Sequence, residues 1–367
     1  MVVRQLRAPK SAREFRRIPH HSPACLPTLS LAASTRRPVG QPLFSPNLRI
    51  LIMSFALMVF AAIVVSGQES SPIPVRPSDT DPAITKFNDP HLVYHNSAVK
   101  KRNELLVFLP GTNGRPGGTG LFCQTGADLG YHVLALAYST DVAAATVRDE
   151  PDRQAFEKFR TEIIEGRDLW GSISVSRVDS IEHRLTKAIA YLAKTRPNEG
   201  WGQFLEGESK LKWGKMAVSG HSQGGGHAGL IGVKHRVARV VMTGAPKDYD
   251  RATDSPAAWY RKGATPAGAF FAFNHVLDRQ GCDYEQQLQN LRALGLFAFG
   301  EPVMVDKQAA PFKHSRMLFT NFEGSPTESV RAHSTVIGDG ITPKDAKGEP
   351  VFRAVWKYML TEPTTRG

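Results

Sequence analysis

The sequence predicts an α/β domain built on a mainly parallel central sheet with helices on both faces. Two observations carry that prediction. Glu104–Leu109 and His132–Tyr138 are apolar along most of their length, where a strand with one wet face would alternate, so both fit strands covered on two sides. From Glu104 onward, such runs alternate with segments of helical period, the order that parallel strands and their crossovers require. No internal repeat is visible.

The chain has 367 residues, 41% of them hydrophobic, enough for a full core and too few for a polytopic membrane protein. Its formal net charge of +12 is unevenly spread. Residues 1–67 hold nine of the 46 Lys/Arg and one of the 34 Asp/Glu, a balance of +8 that leaves only +4 on the remainder. That remainder has no footprint for a polyanion, so a nucleic-acid partner is not expected.

Residues 1–49 are basic and Pro-rich, with no core-forming period, and read as a disordered leader. An uncharged apolar run, Ile50–Val65, follows Arg49 and ends in Ser66 and Gly67. A positive region, an apolar region and small residues in that order make 50–67 a secretory signal cut after Gly67. The rival is a retained membrane anchor, but the run is shorter than the roughly 20 residues that span a bilayer. The expected location is therefore periplasmic or extracellular, with membrane contact only through an uncleaved signal segment. So long a leader before the apolar run also makes Met53 an alternative start. Residues 68–90, with Pro72, Pro74, Pro77, Pro82 and Pro90, read as a linker or arm, and 91–367 as the folded domain.

Within that domain, Pro90–His95 suits an edge strand, and Thr119–Gly130 a crossover helix between the first two buried strands. Ser139–Ser176 is charged, without a clear stripe, and reads as an excursion walling a site above the sheet. Val178, Ile181, Leu185, Ala188, Ile189 and Leu192 fall at helical spacing before Pro197, which predicts a helix over Val178–Lys194. Lys215–Gly220, Arg239–Thr243, Ala269–Asn274 and Arg316–Asn321 read as further strands. Helices are expected at His227–Val237, at Asp283–Leu294 stopped by Gly295, and at Pro350–Leu360.

Chemistry concentrates in Gly220-His-Ser-Gln-Gly-Gly-Gly226. A buried strand runs straight into Gly-x-Ser-x-Gly and a helix, so Ser222 sits at the apex of a strained turn, and glycines on either side remove Cβ atoms that would clash. The alternative is a glycine-rich turn whose serine only caps a helix. As a nucleophile, Ser222 needs a base oriented by an acid. In an open parallel sheet such groups converge at the carboxyl ends of the strands. Asp278 follows the Ala269–Asn274 strand and His333 follows the last one, which gives the chain order serine, acid, histidine. Asp248, Asp250, Glu301 and Asp306 are the rival acids, and His275 and His314 the rival imidazoles. His227 suits a packing role. Oxyanion donors are expected from the N–H of Gln223 and from Thr112 or Asn113 in Pro110–Gly114. Gly111–Gly120 lacks the spacing of a phosphate or dinucleotide loop, and no His/Cys spacing suits a zinc site. Cys123 and Cys282 follow strand ends and are expected to meet, against the alternative of two buried thiols.

Leu109–Gly114, Gly220–Gly224, the acid after the next-but-one strand and Ala332-His333 together resemble the α/β-hydrolase superfamily. The run Gly-His-Ser-Gln-Gly-Gly-Gly-His resembles a group of exported bacterial hydrolases. The likeness covers about Glu104–Leu360 and implies an eight-strand-like sheet, no cofactor and an acyl-enzyme mechanism on a small-molecule or polymer ester. The long Ser139–Ser176 excursion departs from the usual pattern. Two other functions use the same scaffold: a non-catalytic binding or anchoring protein, and an acyltransferase.

Overall fold

The buried runs become strands of one nine-stranded sheet in the computed structural model, which describes residues 71–207, 209–323 and 328–364. The strands are β1 (Ile73–Val75), β2 (His91–Tyr94), β3 (Leu105–Leu109), β4 (His132–Ala135) and β5 (Met216–His221). They continue as β6 (Arg239–Thr243), β7 (Phe270–His275), β8 (Val303–Met304) and β9 (Met317–Thr320). Their spatial order is β1-β2-β4-β3-β5-β6-β7-β9-β8. Only β1 with β2 and β2 with β4 pair antiparallel. All neighbours from β4 to β8 run parallel.

Seven helices beside or above this sheet position the site: α1 (Gly120–Asp128), α2 (Ala155–Glu165), α3 (Ile181–Thr195), α4 (Gln223–Lys234), α5 (Tyr284–Ala293), α6 (Ser329–Thr335) and α7 (Arg353–Thr361). Alternation along β3 divides the core. Leu105, Val107 and Leu109 pack in one cluster with Phe159 of α2, Leu185 of α3 and Ile231 of α4. Leu106 and Phe108 join the other, with Phe122 of α1 and Trp356 of α7. Each side chain of this size stabilises the fold by about 1.5–3 kcal/mol when fully buried. With helices on both faces of a mostly parallel sheet, the chain has the α/β-hydrolase fold that its sequence predicts.

Local signals fix several boundaries. Ser180 caps α3 by accepting the N–H of His183, and Asp283 with Gln286 forms a reciprocal capping box at the start of α5. Asp339, far along the chain, also caps α1, accepting the N–H groups of Gly120 at 2.7 Å and Leu121 at 3.1 Å.

Some expectations are corrected. The folded domain begins before residue 91, because Ile73–Val75 of the Pro-rich arm pairs with β2 and covers its outer edge. Beyond β9 lies an edge strand, Val303–Met304, whose two residues are too few to show a period. The Ser139–Ser176 excursion holds a real helix, α2, whose apolar stripe Phe156, Phe159 and Ile163 is masked by Arg160 and Glu162, both buried. Glu162 is satisfied there by the N–H groups of Leu169, Trp170 and Val175. Cys123 and Cys282 do not meet and are free, buried thiols. Cys123 packs beside Phe122 in the α1-side core, while Cys282 lies 3.9 Å from Asn290 Nδ2 of α5. The leader and signal segment expected in residues 1–67 lie outside the described residues. Among those described, no helix is long and apolar enough to cross a membrane.

His91 is fully buried, and its Nδ1 accepts the N–H of Ala137 at 2.9 Å. Burial, then the Arg184 cation, push this imidazole down to about 3, and burial with Arg160 depresses His227 in the same direction. Below about pH 6.5 the unfolded chain therefore takes up protons that the fold refuses. The stability from these groups is complete above that pH and is lost as pH falls, towards about 3 for His91. Urea unfolding from pH 7 to 4 is expected to show it falling by up to about 1.4 kcal/mol per pH unit per imidazole. His91→Gln is expected to flatten part of that slope.

Candidate active site

β5 ends at His221 and α4 begins at Gln223, so the chain must turn within Ser222 alone. Its backbone takes φ 54° and ψ −120°, a region that costs a non-glycine residue about 1–3 kcal/mol. The turn is held from both sides: Ser222 donates its N–H to Thr243 O at 2.8 Å and accepts that of Gly226 at 3.1 Å. As expected, the flanking glycines permit it. A Cβ on Gly220 would come within 2.4 Å of the Gly224 backbone, and one on Gly224 within 2.0 Å of Leu109 O.

Strand register then decides what can reach Ser222. Leu109 aligns with Gly220, His221 with Thr243, Thr243 with Phe273, and His275 with Thr320. The carboxyl ends of β3, β5, β6, β7 and β9 therefore share one rim. Asp278 stands three residues past β7, and His333 is carried by the short helix α6 that follows β9. His333 Nδ1 donates to Asp278 Oδ2 at 2.7 Å, and both groups are buried. With Nδ1 bearing the proton, Nε2 is left as an acceptor. Burial opposes the charge on Asp278, but the His333 N–H and the nearby Lys247 ammonium outweigh it and hold the carboxyl below its ordinary value.

Ser222 and His333 line the same cavity, about 470 Å³ in volume. Among the described residues Ser222 Oγ has no hydrogen-bond partner, so the cavity and not a direct bond joins the hydroxyl to the imidazole. Contacts of this kind are commonly looser before substrate binds.

Thr112 and Gln223 also line this cavity, and neither N–H meets an acceptor among the described residues. Gln223 is the first residue of α4, where helical N–H groups have no partner within the helix and the dipole favours negative charge. Asn113 is ruled out as a backbone donor to the cavity, because its N–H is spent on Thr140 O at 2.8 Å. The Gln223 side chain ties the walls together: its Oε1 accepts from Thr112 Oγ1 at 3.1 Å and from the Ala144 N–H at 2.7 Å, while Nε2 donates to Val142 O at 3.0 Å.

The rival residues are otherwise engaged. Asp306 accepts from Thr320 Oγ1 and the Asn321 N–H, and His314 pairs with Glu362. Asp250 lies 3.6 Å from Arg153, and Glu301 is exposed. His275 Nδ1 accepts the N–H of Leu277. Asp248 does reach the cavity, but bound to Arg160: Arg160 Nε and Nη2 donate to its two oxygens at 2.5 and 2.6 Å. Trp259 Nε1 adds a third donor to Asp248 at 2.7 Å.

With the geometry of the site established, comparison with known proteins yields structural likeness alone. No protein-family model matches the chain, and no curated protein matches it. Esterase 2 of the planctomycete Thermogutta terrifontis with propionate bound is similar in structure, with a TM-score of 0.40, 14% identity and coverage of 80% of this chain and 92% of that one. The same esterase phosphorylated by paraoxon gives a TM-score of 0.37 at 13% identity over 76% of this chain and 98% of that one. A bacterial heroin esterase gives 0.34 at 14% identity, over 75% and 81%.

Sequence reasoning missed three residues at the site. Arg160, fully buried, also donates from Nη1 to Gln223 O at 2.8 Å, so it braces the turn from the excursion helix. Its signal was the third glycine of Gly224–Gly226: the turn does not need it, but a Cβ on Gly226 would lie 2.3 Å from the guanidinium. His221, between Gly220 and Ser222, carried no role in the sequence reading. Its Nδ1 lies 3.0 Å from Thr243 O, and its ring centroid is 4.6 Å from that of His333. Burial and the neighbouring His333 hold this imidazole well below its ordinary value. Lys247 places Nζ 2.7 Å from Asp278 Oδ2. Among the described residues no group of His, Cys, Asp or Glu is arranged to hold a metal ion.

Arg160→Met is expected to destabilise the fold by about 3–5 kcal/mol, because it leaves the Asp248 charge buried without its partner. Denaturant unfolding measures the loss. The double variant Arg160→Met, Asp248→Asn removes that uncompensated charge and is expected to recover part of it.

Proposed function

We propose that this chain is a serine hydrolase that cleaves a carboxylic ester through an acyl-enzyme on Ser222. The observation that carries the reading is the 2.7 Å pair of His333 and Asp278 facing the same cavity as a serine held at positive φ. Neither feature is needed by the core, and the strained serine stabilises nothing.

In this mechanism Ser222 Oγ attacks the ester carbonyl carbon and its proton passes to His333 Nε2. Asp278 fixes the tautomer and stabilises the imidazolium. The carbonyl oxygen, now an oxyanion, is met by the N–H groups of Gln223 and Thr112 and by the positive end of α4. Collapse expels the alcohol, which takes the proton from His333. Water then attacks the acyl carbon with His333 again as base, returning the acid and the free serine.

The walls come from segments that follow the strand ends. Ala143, Ala144, Ala145 and Phe156 give the cavity apolar lining, and Lys247, Gln280 and Gly281 also line it. A cavity of this volume suits a substrate of small-molecule size. Export rests on the sequence of residues 50–67, and the reading places the enzyme outside the cytoplasm.

A fluorophosphonate probe is expected to attach covalently to Ser222, as read by mass spectrometry of the labelled peptide. Ser222→Ala is expected to abolish labelling and to lower ester turnover by about 10³-fold or more, and Asp278→Asn by about 10³–10⁴-fold. Unchanged turnover in Ser222→Ala would reject the proposal.

A further inference from the structure

We propose that Lys247 tunes His333, lowering the pH down to which that imidazole stays neutral and able to act as a base. The inference deepens the serine-hydrolase reading and rests on it. Lys247 follows β6 by four residues and is buried but for 9% of its surface. Its Nζ lies 2.7 Å from Asp278 Oδ2, the same oxygen that accepts His333 Nδ1–H at 2.7 Å. One carboxylate oxygen thus faces two nitrogens. Nζ has no hydrogen-bond partner elsewhere among the described residues. It acts on Asp278 as a nearby charge first and as a donor second.

An acid that serves one imidazole stabilises the imidazolium with its whole charge. Here part of that charge is already matched by Lys247, and a proton on His333 would place a second cation against the same oxygen. Protonation of His333 is disfavoured on both counts. The neutral, proton-accepting form then persists to lower pH, at the expense of some basicity.

The other groups around the pair do not supply this effect. His221, on the β5 side, is held neutral by burial and the His333 ring. His275, at the end of β7, is held below its ordinary value by burial, against the pull of Asp278 and Asp306. Asp248, beside Lys247 in the chain, is matched by Arg160. The Cys282 thiol is pushed up to about 12, chiefly by burial, and stays protonated. Lys247 is left as the cation in contact with the acid.

The test measures His333 in two independent ways in the full chain: its imidazole titration by NMR, assigned with His333→Asn, and the acid limb of kcat/KM on a short-chain nitrophenyl ester. In Lys247→Met both midpoints are expected to rise by about one pH unit, so kcat/KM on the acid limb falls about tenfold relative to its plateau. Lys247→Arg keeps the charge and is expected to hold the wild-type midpoint. A lysine that only fills space would leave the midpoints of Lys247→Met where they are, and that result overturns the proposal. Should the methionine variant fail to fold, Lys247→Gln is read by the same criterion. A shifted NMR midpoint in a protein whose wild type turns over no ester leaves the tuning intact and sinks the hydrolase reading instead.

Discussion

The site depends on a single backbone conformation. β5 and α4 are both regular up to the residue beside Ser222, so a change of direction that most proteins spread over several residues is compressed into one. Its conformational cost is offset locally by the bonds to Thr243 and Gly226. It is also fixed sterically, since Gly220, Gly224 and the end of β3 approach one another so closely that the chain has no room to relax. The same compression that strains the serine lifts its hydroxyl off the rim and aims the start of α4 at it. Strain, exposure and the positive helix end are one feature described three ways.

What surrounds the turn is held by buried charge in the cavity wall. Arg160 joins three segments distant in sequence: its own excursion helix, the start of α4 through Gln223 O, and the segment after β6 through Asp248. Buried pairs of this kind are poor sources of net stability, because desolvating the charges costs about as much as their attraction returns. What the bidentate geometry does supply is direction. The guanidinium plane has few orientations in which all its donors are matched, so the excursion cannot slide along α4 without leaving a charge bare.

The parts legible in the sequence were those with a local or topological signature. The elbow announces itself by its glycines, and the rule that groups converge at strand ends singled out Asp278 and His333, which the structure brings to 2.7 Å. The same rule does not see partners held by tertiary contacts. Whether Thr112 or Asn113 offers a free N–H turns on Thr140, whose carbonyl arrives from the next strand's loop and takes Asn113. Arg160 and Asp248 lie 88 residues apart and look like ordinary charges on a surface helix and a loop. β1 and β8 are too short to carry a period, and strand ends alone did not tell that Cys123 would sit inside α1 and Cys282 beside Asn290 of α5.

The residue after Ser222 has a further consequence. Gln223 offers its backbone N–H to the cavity while its side-chain amide bonds Thr112, Val142 and Ala144. The cavity wall and the proposed oxyanion donor are therefore anchored to one side chain. Loop grafting meant to alter which molecules enter would succeed only with segments that return two main-chain groups to the same points in space. Under the proposed hydrolase reading, selectivity and chemical competence would not be separable modules and would have to diversify together.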